Sequence, residues 1–362
     1  MVYIRRLYFV PGRPGTSFFD AICEMDNIVL AHKLASRGKS WYSEVKMVNS
    51  NPEFYLTNIQ WMLINQDFTT SAYDISIRYD GIKQRTIYKL PYYPDRIVQW
   101  AILNVIGPIL ENKMISTTFS SLKGRGPYQC MKRVSSDLER YPYETFYCLK
   151  MDIHKFYQSI DHDLLKQLYA YTFKDPKLLW LINDIIDSVD NDEGIPIGNY
   201  LSQYSGNYFL TPFDHWLKEE KHIQFYYRYM DDMVILHHDK EYLYDLLNEI
   251  IDTLNKIKLT LKPNHQIFPV PDRGIDFVGY VIKHGEVRIR PRIAKGYKLC
   301  VNRLMNKSIY RITDHDESSY FSHKGFVIHG DTKALLKKYS MPLEKYLSWD
   351  RRRCKGAQGP HQ

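Results

Sequence analysis

Cysteine is scarce in this 362-residue chain: Cys23, Cys130, Cys148, Cys300 and Cys354 are dispersed, odd in number, and form no CxxC pair or Cys/His cluster. That spacing excludes a disulfide scaffold and a zinc finger. Long hydrophobic runs are also missing; the most apolar segment, IVQWAILNVIGPIL at 97–110, is only 14 residues and carries Gln99 and Asn104. It is too short to span a bilayer, and the N-terminus MVYIRRLYFVPGRPG lacks the long apolar core of a signal peptide. The expected address is a reducing cytoplasm, with no membrane partner. No GK[ST] ending follows Gly124-Arg125-Gly126, so this glycine-rich stretch is not a Walker loop.

What is present is a chain long enough for two or three domains at ~150 residues each, with 44% apolar residues to build their cores. Lys+Arg number 49 against 41 Asp+Glu, a formal charge of +8 that suggests a polyanionic partner. Thirty tyrosines and 16 phenylalanines provide rings that pack in a core or stack on bases.

A helical pattern runs from Phe18 to near Arg37-Gly38. Alternation in AYDISIRYDGIKQRTIYKL at 72–90 predicts two strands joined at Asp80-Gly81. Their period of two puts Lys83, Arg85 and Lys89 on one face, which suits a phosphate or a solvated basic strand. Helical pattern returns over 95–113, a strand is expected over 145–152, and a helix starts after Asp161-His162. The acidic stretch NDIIDSVDNDEG at 183–194 (Asp184, Asp187, Asp190, Asp192, Glu193) lacks calcium-loop spacing and reads as a solvated helix end. Further on come a helix over 242–256, a short strand at 257–261 and a hairpin within GIDFVGYVIKHGEVRIR. From 283 to 311 there are nine Lys/Arg against the single acid Glu286, the mark of a separate basic helical domain.

The chemistry centres on FYYRYMDDMVILHHDK at 225–240, read as strand, tight turn with Asp231-Asp232, and strand. Two adjacent carboxylates at the tip of an apolar hairpin are costly unless a cation accepts them. A second strand ends in Leu149-Lys150-Met151-Asp152. Nucleotidyl transfer uses two divalent ions ~3.5–4 Å apart, and hard carboxylate oxygens suit magnesium. Asp152 and Asp231 are the expected bridging ligands, with Asp232 beside them and Ile153 in the same ion-binding set. Asp231-Asp232 alone is more often a surface turn than a metal site, so the reading rests on the combination.

That combination resembles the reverse transcriptases. Tyr229-Met230-Asp231-Asp232 matches their YxDD signature, MDIHKFYQSIDH at 151–162 their first catalytic motif, and GIPIGNYLSQ at 194–203 the motif preceding YxDD. Lys83 and Arg85, DRIVQWAILNVI at 95–106, LTLKPNHQ at 259–266 and GIDFVGYVI at 274–282 follow in the family's order, so the likeness covers about residues 20–350. It implies an α+β right-hand polymerase: N-terminal extension 1–40, fingers 41–140 with part of the palm, palm 141–282, basic helical thumb 283–350 and basic tail 351–362. The implied activity is RNA-directed DNA synthesis with two Mg2+, Mn2+ substituting in vitro, on an RNA template, a DNA primer or cDNA, and dNTPs.

Within the family, the bacterial group II intron-like class is nearest. Its usual PQG and SP are here Pro196-Ile197-Gly198 and Ser202-Gln203, a departure that resembles diversity-generating retroelement enzymes. That subgroup implies errors opposite template adenines, a small basic helical accessory protein and a structured RNA. Ile197 is then the candidate fidelity determinant, because losing an amide near the incoming nucleotide removes discriminating hydrogen bonds. By the same resemblance, Tyr157 is the gate against a ribose 2'-hydroxyl; Lys83, Arg85, Gly198 and Gln203 meet the nucleotide. Lys262 is a candidate general acid, with Lys256, Lys258 and His265 as competitors. Tyr229, Met230, Gly279, Arg288, Arg290, Arg292, Lys295 and Lys298 are expected on the nucleic acid, the cations through phosphates. Retron, phage-defence and intron-related enzymes remain alternatives, as does a non-catalytic RNA-binding scaffold. An RNA-dependent RNA polymerase is disfavoured by Tyr157, and the remaining length leaves no room for an RNase H domain.

Overall fold

The computed structural model describes residues 17–80, 83–189 and 192–356. The basic N-terminal stretch, Gly81 of the expected turn, Asp190 and the last six residues lie outside the described residues. The chain divides into two units, the first made of Met1–Leu122, Asp152–Gln224 and Leu246–Pro263, the second of Lys123–Met151, Phe225–Asp245 and Asn264–Gln362.

In the first unit the apolar 97–110 segment forms all but the last turn of a core helix, Ile97–Lys113, with Ile97, Val98, Ala101, Ile102, Val105, Ile106 and Leu110 buried. Its two polar residues find partners inside through Asn104 and the Gln99 oxygen, while Gln99 Nε2 is buried without a hydrogen bond. Asn104 donates to Asn27 Oδ1 at 2.9 Å, Asn27 donates to the carbonyls of Ile22 and Ala101, and Gln99 Oε1 accepts from Leu201 N. Buried polar groups of this kind are costly unless paired. Around the core helix lie Phe18–Cys23, Met25–Ala35 and Tyr200–Phe209. Asx side chains start the surrounding helices as local chemistry dictates: Asn51 caps Pro52–Ile64, Asp161 caps His162–Thr172 and Asp175 caps Pro176–Asp187. The antiparallel hairpin Asp74–Asp80 and Lys83–Lys89 pairs Arg78 with Arg85 and Asp74 with Lys89.

The second unit holds a sheet in which Phe225–Tyr229, Asp232–His237, Tyr147–Asp152 and Gln266–Pro269 are successive neighbours. Both sides of Phe225–Tyr229 and Asp232–His237 are covered, which explains their near-continuous apolar sequence. Helix Pro127–Arg140 packs on this unit through Asp137, which accepts from Tyr227 OH at 2.6 Å and Arg133 Nε at 2.7 Å. Strands Ile275–Phe277, Tyr280–Lys283 and Glu286–Ile289 form a second antiparallel sheet. Helices Pro291–Met305, Asp314–Val327 and Lys333–Gly356 close on Tyr297, Val301, Leu304, Tyr320, Val327 and Leu343.

Three expectations change. The strand expected at 257–261 is absent: amides of Ile257 and Leu259 bond back to Leu254 O and close helix Lys240–Lys256, so only Leu261 forms a bridge, to Ile153. The hairpin at 274–290 is three-stranded, and residues 286–289 of the basic stretch are strand rather than helix. The acidic stretch is partly partnered: Asp184 accepts from Thr70 N and Oγ1 at 2.9 and 2.7 Å, and Asp187 pairs with Lys166 at 2.6 Å. His237 and His238 stack on each other, with Tyr242 and Tyr143 at the ends.

Cys23, Cys130 and Cys148 are buried, and burial pushes the Cys23 thiol up to about 12 and raises the other two as well. A shift of that size lowers the thiolate fraction by about 10³. Native protein is therefore expected to resist iodoacetamide at these three positions near neutral pH, and to react at all of them in guanidinium, as read by mass spectrometry.

Candidate active site

The first unit joins four of the expected site segments through backbone hydrogen bonds. Asp152 ends its strand, and its carbonyl accepts from Lys262 N at 2.8 Å while its carboxylate accepts from Lys262 Nζ at 2.5 Å. Ile153 bridges Leu261, and His154 N donates to Thr260 O at 2.7 Å. The chain then turns through Lys155, at φ +45, into a single 3-10 turn, Phe156–Gln158. Phe156 is buried, and the rings of Phe156 and Tyr157 both lie on Gly206, where a Cβ would sit 3.3 and 3.5 Å from them. The Tyr157 carbonyl accepts from Ile195 N at 2.8 Å, which fixes the loop that leads to Ile197.

Ile197 O accepts from Tyr88 N at 3.1 Å, so this loop is attached to the strand that carries Lys83 and Arg85. Gly198 is required there on two counts: its φ is +124, and a Cβ would lie 2.7 Å from the Tyr88 carbonyl oxygen. Ile197 and Gln203 are half-buried. The side chains of Lys83 and Arg85 lie outside the described residues. Lys258, a competitor for the role of Lys262, is instead bound to Asp161 at 2.5 Å. Burial pushes the Asp161 carboxyl up, but the Lys258 hydrogen bond and the Leu164 amide outweigh it and hold it below its ordinary value.

In the second unit, Tyr229 pairs with Asp232, leaving Met230 and Asp231 as a two-residue loop. Asp232 therefore opens its strand, and Asp231 alone occupies the tip with Met230. Met230 carries φ +60, a conformation that costs a non-glycine residue about 1–2 kcal/mol. The fully buried Arg228 donates from Nη1 to Met230 O at 3.1 Å and braces the loop. Lys150 Nζ lies 3.7 Å from Asp232 Oδ1. Gly279, at φ +94, lets the backbone close on Ile293 and Phe326, since a Cβ would come within 2.9 Å of the former. Two cations expected on phosphates are paired at home, Arg288 with Glu286 and Arg290 with Asp276, whereas Arg292, Lys295 and Lys298 are exposed on one helix.

Sequence reasoning did not single out Lys150, Arg228 or Gly206. The first two had a signal, a lone cation inside an apolar strand; Gly206 had none, because its role depends on rings arriving from Phe156 and Tyr157. Among the described residues no three His, Cys, Asp or Glu side chains form a ready metal cluster. The donor chemistry nevertheless fits a hard cation: Asp152 and Asp232 present partly exposed carboxylate oxygens, the donors such an ion takes.

Residues 80–282 match the family model described as reverse transcriptase (RNA-dependent DNA polymerase), and the chain belongs to that family. No curated protein sequence matches it. Among solved structures, apo telomerase from Candida tropicalis is 12% identical with a TM-score of 0.50, covering 77% of this chain and 61% of that one. Telomerase from Candida albicans in complex with a TWJ fragment of telomeric RNA is 12% identical with a TM-score of 0.46, covering 77% and 58%. The chain thus spans about three fifths of the telomerases it matches. The fold is the mixed α+β architecture of the right-hand reverse transcriptases, a family that generally uses divalent metal ions. No helix among the described residues is long and apolar enough to cross a membrane.

Gly198→Ala is expected to destabilise by about 1–3 kcal/mol and to raise hydrogen exchange at the Tyr88 amide, because strain and overlap act together. Gly285→Ala, with positive φ but nothing within 4 Å of a Cβ, is the milder control. Melting temperatures of both variants and exchange at Tyr88 check the difference.

Proposed function

We propose that this protein is an RNA-directed DNA polymerase that extends a DNA primer or cDNA on an RNA template from dNTPs. The observation that carries the reading is the hydrogen-bonded sequence of contacts from Lys262 and Asp152 through Tyr157 and Ile195 to Ile197 and the Lys83–Lys89 strand. It holds a carboxylate, an aromatic ring and a basic strand in one unit, which are the parts that ion, sugar and triphosphate recognition require.

Asp152 with Ile153, and Asp231 with Asp232, are the residues that would hold two Mg2+. Such ions, when bound, acidify the 3'-hydroxyl and offset charge on the leaving phosphates. Arg85 and Lys83 grip the triphosphate, Arg85 through its bidentate fork. Tyr157, backed by Phe156 and Gly206, cannot retreat from a 2'-hydroxyl and so selects deoxynucleotides. Lys262, held on Asp152 by both its amide and its ammonium, places a positive charge beside the reacting phosphate and serves as proton donor to the pyrophosphate. Gly198 and Gln203 line the nucleotide site. Tyr229, Met230 and Gly279 meet the primer end, while Arg288, Arg290, Arg292, Lys295 and Lys298 hold the duplex backbone. Fingers, palm and thumb then correspond to 41–140, 141–282 and 283–350.

The finer reading is mutagenic copying within a diversity-generating retroelement, with a small basic helical accessory protein. It is supported by Ile197, an aliphatic side chain on a loop whose carbonyl is fixed by Tyr88, where an amide would otherwise bond the nucleotide.

Sequencing cDNA from purified protein with Mg2+, dNTPs and a primed adenine-containing RNA tests both levels. Activity lost in Asp231→Ala with errors concentrated at template adenines is the expected result, and Ile197→Gln should reduce those errors. Tyr157→Ala should admit ribonucleotides by a factor of about 10 or more, a discrimination worth ~1.4 kcal/mol. Accurate cDNA would favour a retron, defence or intron role, and no cDNA with the accessory protein and RNA present would favour a scaffold.

A further inference from the structure

Lys150 lies between the buried Leu149 and Met151, with its side chain 24% exposed. An ammonium held this close to an apolar sheet is tolerable only with partners. It has two: it donates to the backbone carbonyl of Asp276, and it stands 3.7 Å from Asp232 Oδ1. Asp276 is itself anchored, its carboxylate accepting from Arg290 Nε, and Arg290 N donates to Gly279 O at 3.0 Å. Within the second unit a continuous set of polar contacts therefore runs from Asp232 through Lys150 and Asp276 to Gly279.

We infer that Lys150 is a positioning residue of the polymerase site, supplying Asp232 with a fixed positive charge and tying it to the Asp276–Gly279 segment. The inference rests on the polymerase reading above. With an ammonium already beside Asp232, a divalent ion competes for that carboxylate at a disadvantage. Deleting the charge makes Asp232 a better ion ligand and a worse-placed one. Ion binding then strengthens while turnover falls, a pairing that a merely structural lysine would not produce.

The test uses the full chain and two readouts: Mn2+ affinity by electron paramagnetic resonance without nucleic acid, and primer-extension kinetics. Lys150→Met is expected to bind Mn2+ about fivefold tighter, the effect of removing one unit charge at this range in a partly solvated site. Its kcat should fall about tenfold or more with the dNTP KM little changed, and Lys150→Arg should restore both. Adding Lys150→Met to Asp232→Asn should leave Mn2+ affinity at the Asp232→Asn value, since the two act through one contact. Lys150→Gln keeps a donor for the Asp276 carbonyl without the charge; it carries the same expected tightening and decides the question if Lys150→Met does not fold. Mn2+ affinity unchanged or weakened in the folded uncharged variant, or additive effects in the double variant, would overturn the inference. Absence of primer extension by the wild type would instead overturn the polymerase reading, and the Mn2+ comparison would still judge Lys150.

Discussion

A carboxylate at the end of a buried strand needs a cation, and the local architecture follows from how each one is supplied. Asp152 has Lys262 at 2.5 Å and Asp232 has Lys150 at 3.7 Å. In both cases the lysine also makes a backbone contact, Lys262 through its amide to Asp152 O and Lys150 through its ammonium to Asp276 O. The charge pair and the chain path are thus fixed together. Away from the candidate site the same arrangement supports helix starts, with Lys258 on the capping Asp161 and Lys307 on Asp316. There the pair meets a helix N-terminus, where a carboxylate is already welcome, so the consequence is structural.

A second constraint is close backbone approach. The loop carrying Ile197 and Gly198 meets the strand Lys83–Lys89 through one amide, and only a residue without Cβ fits beside the Tyr88 carbonyl. Gly206 serves Phe156 and Tyr157 in the same way, and Gly279 serves Ile293 and Phe326. Each glycine sits where a segment expected to touch substrate or product meets its support. Substitution there would change the position of the chemistry before it changed the chemistry itself.

Much of the candidate site could be read in the chain because its segments are contiguous. Tyr157 stands five positions after Asp152, and Tyr229 to Asp232 form one hairpin, so their local geometry follows from strand and turn preferences. The hairpin at 74–89 and the core helix at 97–113 were legible for similar reasons of alternation and apolar run. Less legible was anything set by a distant partner. The 257–261 segment has strand-like composition, yet its amides close a helix; Arg288 and Arg290 read as phosphate ligands, yet each has a carboxylate at hand.

By itself the sequence determined the family, because its carboxylates, tyrosine and basic strand occur in an order and local spacing that covalent connectivity preserves. Only the tertiary structure decided which lysine faces which aspartate, since Lys262 and Asp152 are 110 positions apart and Lys256, Lys258 and Lys262 are chemically equivalent in a linear chain. It likewise decided the roles of Lys150, Arg228 and Gly206. Their functions reside in carbonyls, carboxylates and rings brought to them by folding, and long-range packing of that kind leaves no periodic trace in the residues themselves.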